Sequence, residues 1–340
     1  SFLLGMHAIT GTTGDITSIL FGIPGEGTSA ATILDGYPMT KKGEAGRALG
    51  AALTSSLVAG LEGALILAIS IPIMRPLVLF FGAPELFTLT LLGITFLATL
   101  SSSSLSKGLL AGGIGLAISA VGIEDHTGTL RYTLGTIYLW EGLSLAPVVV
   151  GLFAIPEIVD LAVRGSSIAE AKVAKITGVM TGVRDTFRHF WLTMRCGLIG
   201  VFVGAVPGVG AGVSQWMAYA HAVQSSKDKD RFGKGAVEGV LGPGASNNSK
   251  EGGNLIPTVA FGVPGTTGMA ILLGAFMIVG LTPGPEMLTK HLDVTFAMVW
   301  ILVISNIIAA GVAFIFLKQL VKLTFVRGNL LIPFLLMFVF

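Results

Sequence analysis

The stretch FGIPGEGTSAA, residues 21–31, interrupts a helix inside an apolar chain. Pro24 has no backbone donor, and Gly22, Gly25 and Gly27 are poor helix formers. Ile19, Leu20 and Phe21 lead into it and Ile33 and Leu34 lead out, both in the manner of a membrane helix. In hydrocarbon every unpaired backbone group is costly, so irregular chain at membrane depth persists only inside protein or beside a wet cavity. The break is therefore a candidate site.

Its surroundings support that setting. Hydrophobic residues make up 52% of the 340 positions and charged residues 12%, with mean hydropathy +0.83. A soluble domain carries about 25% charged residues. Apolar runs near 48–71, 86–100, 105–121, 134–155, 190–206, 294–317 and 330–340 approach or exceed the roughly 17–25 residues that cross a bilayer. The expected class is an all-α polytopic membrane protein, and the 47 glycines suit closely packed helices.

Composition also narrows the chemistry. A net charge of +2, spread over short loops, offers no nucleic-acid surface. The single cysteine, Cys196, excludes an internal disulfide and lies in an apolar run as a packing residue. The five histidines show no metal-ligand spacing, and no Ser/His/Asp set or carboxylate pair suggests a reaction on a substrate. No enzyme, metal or cofactor is expected beyond a coupling cation.

The opening motif recurs. SILFGIPGEGTSAATIL (18–34) aligns with TVAFGVPGTTGMAILLG (258–274), so that Phe21, Gly22, Pro24, Gly25 and Ala30 match Phe261, Gly262, Pro264, Gly265 and Ala270, 240 positions on. A proline-containing loop (Pro38; Pro283 and Pro285) and a long apolar run follow each copy. Weak internal symmetry of this kind marks many secondary transporters. The repeat divides the chain into a first copy at 1–162, a cytoplasmic linker at 163–188 and a second copy at 189–340. Counterparts of some segments would fall before Ser1 and after Phe340, which predicts a complete protein on the order of 450–500 residues.

Loop charges give the orientation. Loop 38–47 has Lys41, Lys42 and Arg47, and loop 163–188 has Arg164, Lys172, Lys175, Arg184 and Arg188. Segments 73–85 and 123–131 carry only Arg75 and Arg131. The positive-inside rule puts the first two in the cytoplasm. In the second copy, loop 283–293 has only Lys290, with Glu286 and Asp293, whereas the next connection has Lys318, Lys322 and Arg327. The bias changes side, as an inverted repeat with discontinuous, re-entrant helices predicts.

Three breaks share one chemistry: FGIPGEGTS (21–29), VPGVGAGVS (206–214) and FGVPGTTG (261–268). A helix restarting after such a break directs free N–H groups and its positive dipole end into the gap, which suits an anion. The candidate binding residues are Gly22, Pro24, Gly25, Glu26, Gly27, Thr28 and Ser29 in the first break. Pro207, Gly208, Gly210 and Ser214 form the second set, and Gly262, Pro264, Gly265, Thr266 and Thr267 the third. Thr28, Ser29, Ser214, Thr266 and Thr267 add hydroxyls. Glu26, opposite Thr266 of the second copy, is either neutral or holds a cation. GPGASNNSKEGG (242–253) adds Asn247 and Asn248, groups suited to a carboxylate or a Na⁺ shell. The same segment also reads as a polar loop outside the membrane, given Lys250 and Glu251. VPGVGAG does not fit the dinucleotide-binding pattern G-x-G-x-x-G and follows no βαβ strand. Glu62 and Glu141 lie within apolar runs, where an ionisable group is a candidate proton carrier.

At these motifs a resemblance emerges. ILFGIPGEGTSAATILDGYPMTKKGEAGRALG (19–50), PGVGAG (207–212), FGKGAVEGVLGPGASNNSKEGGNLIPTVAFGVPG (232–265) and LTPGP (281–285) are similar to the tripartite tricarboxylate transporter family, in its large membrane subunit TctA. The likeness extends through KGLLAGGIGLAISAVGIEDHTGTLRYTLG (107–135) and covers nearly the whole chain. It implies a multi-pass secondary transporter of the bacterial inner membrane that takes up organic carboxylates by symport with Na⁺ or H⁺. The implied partners are a small membrane subunit (TctB-like) and a periplasmic solute-binding protein (TctC-like). The family often has an acidic residue after the position of Pro243, where this chain has Gly244. The alternative function is a passive anion channel, or a carboxylate transporter without a binding protein.

Overall fold

A computed structural model of the chain describes residues 2–25, 29–80, 105–124, 129–140, 142–143, 176–207 and 211–323, with positions 84, 88 and 159. Glu26, Gly27, Thr28, Gly208, Gly210 and Glu141 lie outside the described residues, as do most of the expected run 86–100 and all of 330–340.

The described chain is mostly helical. α1 (Phe2–Phe21), α2 (Ala30–Lys41) and α3 (Ala45–Leu79) are followed by α4 (Leu105–Ser119). A two-residue antiparallel pair, β1 (Gly122–Ile123) with β2 (Leu130–Arg131), comes next. The second half contains α5 (Val179–Arg188), α6 (Phe190–Ala205), α7 (Ala211–Ser225), α8 (Glu238–Phe261), α9 (Thr267–Ile278), α10 (Leu292–Ile315) and α11 (Leu317–Leu323). Ala45–Pro76 of α3 and all of α10 are long and apolar enough to cross a membrane.

α8 is the axis of the packing. It lies against α3, α6 and α7 along most of its length, with α1, α2 and α9 also touching it. Its residues are buried from Glu238 to Ala260 with Ile256 as the exception. Small residues allow this closeness. A Cβ added at Gly252 would strike the Gly63 carbonyl, one at Gly253 the Val201 carbonyl, and one at Gly204 the Lys250 carbonyl. Backbone approach through small residues supplies van der Waals contact along the helices. Apolar packing fills the two flanks: Leu67, Leu255, Met269, Met298 and Leu302 on one, and Ile19, Met39, Leu49, Leu53 and Leu241 on the other. The outer faces remain apolar as well. Trp191, Leu198 and Phe202 on α6, and Trp300, Ile304, Ile307 and Ile308 on α10, are exposed, more apolar surface than a water-facing helix normally shows.

The N-terminus of α8 is fixed by one acid. Asp35 of α2 accepts hydrogen bonds from the amides of Gly235 (2.7 Å) and Ala236 (2.8 Å) and from the Tyr219 hydroxyl (3.0 Å). Gly239 leaves room for that carboxylate.

The element order repeats. α1, α2 and α3 return as α8, α9 and α10. Gly22, after α1, has φ +68°, and Gly262, after α8, has φ +67°. This left-handed cap is open to glycine at little cost. The amides of both glycines donate four residues back, Gly22 to the Ser18 carbonyl (3.2 Å) and Gly262 to the Thr258 carbonyl (3.1 Å). α2 and α9 each have 12 residues.

Several expectations change, and the linker gains a described end. Pro38 lies inside α2 instead of a loop; the chain turns only at Lys42–Gly43, where the Lys42 amide still reaches the Pro38 carbonyl at 3.1 Å. The run 134–155 does not start as a spanning helix. Its described part forms a 3-10 turn at Ile137–Leu139 beside the β1–β2 pair, with Leu134 and Tyr132 at positive φ. This pair also qualifies the all-α reading. The linker 163–188 ends in α5, which packs on α3 through Gly182 and a 2.6 Å Arg47–Asp185 ion pair. Finally, 242–253 is no external loop, because it forms the buried middle of α8.

Candidate functional site

The polar residues of α8 and α1 meet where the two helices cross. Asn247 Nδ2 donates to the Gly11 carbonyl at 2.9 Å, and Lys250 Nζ donates to Asn247 Oδ1 at 2.7 Å. His7 Nε2 lies 2.9 Å from Glu251 Oε2. As the α1 number rises the α8 number falls, so the helices run antiparallel. The two contacts are also related by the repeat: a shift of 240 carries His7 onto position 247 and Gly11 onto position 251. The pair 7–251 thus exchanges with the pair 11–247 under the 240-residue shift.

Beside this crossing sits a knot of four helices. Asn248 Nδ2 donates to Asn306 Oδ1 on α10 (2.6 Å), to the Ser56 carbonyl on α3 (3.0 Å) and to Thr12 Oγ1 on α1 (3.4 Å). The Thr12 and Ser56 hydroxyls share a hydrogen bond of 3.1 Å, and Asn306 Nδ2 donates to the Leu302 carbonyl at 2.9 Å. Asn248 and Asn306 are 1% and 3% exposed. Buried polar groups need such partners, and a satisfied network fixes a single arrangement of the helices.

The breaks lie on either side. After α1, the chain at Gly25 folds back onto its own helix: an added Cβ would be 2.5 Å from Thr17 Oγ1 and 2.6 Å from the Gly14 carbonyl. Ser29, fully buried, accepts a hydrogen bond from Ser18 Oγ at 3.0 Å. After α8, Gly265 approaches Asn254. Its added Cβ would be 3.0 Å from Asn254 Oδ1 and 3.3 Å from the Gly204 carbonyl. Gly204 is in the last turn of α6, three residues before Pro207, so the second and third breaks converge on Asn254. Position 254 is the repeat counterpart of position 14, where Gly25 packs. Gly22, Gly262 and Pro264 hold the turns, and Ser214 is buried at the start of α7. Thr266 Oγ1 accepts the Met269 amide at 3.3 Å, so this hydroxyl caps α9. Thr267 opens that helix.

Glu62 is 8% exposed and lies against Gly197 of α6, away from the residues that bond at the crossing. The sequence reading missed His7, Gly11, Thr12, Ser56, Asn254 and Asn306. The spacing of Asn247, Lys250, Glu251 and Asn254 at i, i+3, i+4 and i+7 was available as a signal, since it places all four along one side of a helix. No group of three or more metal-ligating side chains is found among the described residues.

A buried polar helix with glycine-capped breaks beside it, together with two helices long and apolar enough to cross a membrane, fits the class of helical membrane proteins. The chain belongs to the tripartite tricarboxylate transporter TctA family, whose model matches residues 1–340. It is 33% identical over 325 residues to an uncharacterised 52.8 kDa protein of the TAR-I ttuC′ 3′ region of Agrobacterium vitis, covering 96% of this chain and 64% of that protein. It is 30% identical over 139 residues to an uncharacterised protein of the TAR-II ttuC′ 3′ region of the same organism, covering 41% and 57%. The chain thus spans less than two thirds of the curated relatives it matches. No solved structure matches it significantly.

Proposed function

We propose that this chain is the transport core of a tripartite secondary transporter that imports tricarboxylates or related organic carboxylates across the bacterial inner membrane. In this reading it is a multi-pass inverted repeat. It receives substrate from a periplasmic binding protein, works with a small membrane subunit, and is driven by an ion gradient. The observation that carries the reading is α8, a helix buried along nearly all its length with asparagines, a lysine and a glutamate in its middle. Such a helix is expensive to bury unless its polar groups serve a pathway. The exchanged contacts 7–251 and 11–247 support an inverted repeat, and the exposed apolar faces of α6 and α10 support a lipid setting.

Backbone amides at the restarts after Gly25 and Gly265 hold the carboxylate, and one copy then moves against the other to open the site alternately. Proteoliposomes containing the full-length protein and its partner subunits should accumulate labelled citrate, succinate or tartrate against a gradient when the binding protein is added. Gly25→Leu and Gly265→Leu should abolish uptake while leaving membrane insertion intact. Wild-type uptake in both variants refutes the site, and flux that only follows the substrate gradient, without the binding protein, refutes the active transporter in favour of a channel.

A further inference from the structure

The α1–α8 crossing carries charge as well as amides. His7 Nε2 is 2.9 Å from Glu251 Oε2, and Glu251 Oε1 is 3.6 Å from Lys250 Nζ. The Lys250 and Glu251 side chains are 4% and 5% exposed, but that of His7 is 28% exposed. His7 lines a cavity of about 180 Å³ with Thr10 and Gly268, between walls of Leu3, Leu4, Met6, Ile271 and Leu272. The ring faces α9 through Cε1 and both nitrogens: a Cβ on Gly268 would lie 2.6 Å from Nδ1 and 2.7 Å from Nε2. Gly268 is in the first turn of the helix that restarts after the third break.

Charge balance gives this arrangement a property. With His7 neutral, Lys250 and Glu251 cancel. One proton on the imidazole leaves the cluster with a net positive charge in a buried setting, where uncompensated charge is heavily penalised. The first-turn amides of α9, with that of Met269 capped by Thr266 Oγ1, add further positive potential beside the ring. A carboxylate arriving at that restart removes the penalty. Proton and anion then favour each other's binding, and the coupling is reciprocal. The oxygen that a Na⁺ shell would take from Asn247 already accepts the Lys250 ammonium, an internal cation.

We propose that His7, held between Glu251 and the first turn of α9, is the residue that binds the coupling proton for carboxylate uptake. This rests on the transporter reading above. The imidazole takes one proton from water on the entry side and returns it on the other, and only an N–H bond forms and breaks. His7 belongs to the first copy and Glu251 to the second, so the proton sets the strength of an ionic link between the two parts that move. Other ionisable groups on the packed helices are placed for other contacts. Asp15 lies two turns further along α1, Asp35 on α2 holds the Gly235 and Ala236 amides, Glu62 on α3 faces Gly197, Asp293 opens α10, and α9 has none.

The test uses proteoliposomes of the full-length transporter with its partner subunits and labelled citrate, succinate and tartrate. A pH gradient, inside alkaline, is imposed without Na⁺, or a Na⁺ gradient without a pH difference. Wild type should accumulate at least one of the three under the pH gradient alone. His7→Gln, which can still donate to Glu251, should lose about tenfold or more of that accumulation, and the uptake that remains should no longer respond to pH. His291→Gln, a control away from the crossing, should keep the full response. Wild-type response to the pH gradient in His7→Gln overturns the inference and leaves the transporter reading standing, as does wild-type uptake that follows Na⁺ and ignores pH. Failure of the wild type to accumulate any of the three under either gradient refutes the transporter reading and this inference with it.

Discussion

Asn248→Ala tests whether the four-helix knot holds the helices in register. The substitution removes one amide that serves three acceptors: Asn306 Oδ1, the Ser56 carbonyl and Thr12 Oγ1. Interhelical hydrogen bonds in membrane proteins average about 0.6 kcal/mol and those in soluble proteins about 1 kcal/mol, so the two bonds that the two N–H groups can make in full amount to about 1–2 kcal/mol. Two acceptors stranded in the interior add about 1–3 kcal/mol each. Against this, Asn248 Oδ1 has no hydrogen-bond partner among the described residues, and removing it returns a penalty of the same size. The expected net loss is about 3 kcal/mol. Denaturation of the purified protein by increasing SDS in mixed micelles, followed by circular dichroism, reads this directly. Asn306→Ala alone should cost about 2 kcal/mol, and the double variant less than the sum, with a coupling of about 1–2 kcal/mol. A loss below 0.5 kcal/mol (about the scatter of surface substitutions) in Asn248→Ala, or additive single effects, would refute the reasoning.

The close backbone contacts give further expectations. Gly253→Leu and Gly204→Leu should prevent stable folding, seen as loss of a monodisperse peak in detergent chromatography, because backbone carbonyls of Val201 and Lys250 occupy the space. Gly43→Ala, where an added Cβ meets nothing but φ is +83°, should cost only about 1 kcal/mol in the same SDS titration. Cys196, fully buried with its thiol 3.7 Å from the Ala218 carbonyl, should resist a water-soluble maleimide in the folded protein and react after SDS denaturation, as mass spectrometry would record. Arg47→Met should loosen α5 from α3 by about 1 kcal/mol, measured as faster proteolysis within 179–188; unchanged cleavage would remove the Arg47–Asp185 pair from that role.

The sequence announced the breaks better than the helices that carry them. Gly22 and Gly262 were found from Pro-Gly punctuation and occupy the same left-handed cap, because that signal is local and depends on backbone sterics alone. α1 and α8 escaped a search for apolar runs. Thr12, Asp15, Thr17 and Ser18 in one, and Ser246 to Asn254 in the other, lower their hydropathy, since these helices face other helices instead of lipid. Lys250 and Glu251 pointed to a water-exposed loop, yet each is 4% exposed; Lys250 is held by Asn247 three residues before it, but Glu251 by His7, a partner that no local window contains. Pro38 misled for a related reason, since its missing donor falls where α2 tolerates it. The convergence of Gly204, Asn254 and Gly265 depends on the crossing of α6 with α8, which no spacing along the chain encodes.

The glycine contacts along α8 also set what can slide. Where Gly63, Gly252, Val201 and Gly253 place main chain against main chain, no side chains act as a bearing, and α3, α6 and α8 form a jammed stator. α1 touches that block more loosely: a Cβ on Gly11 would stand 3.2 Å from the Asn247 carbonyl, a gap that a small shift relieves. α1 with its own break is thus the looser part, whereas α3, although in the first copy, is held with α6 and α8. Hydrogen–deuterium exchange reads this order directly, with α8 amides the last to exchange and α1 amides well ahead of them.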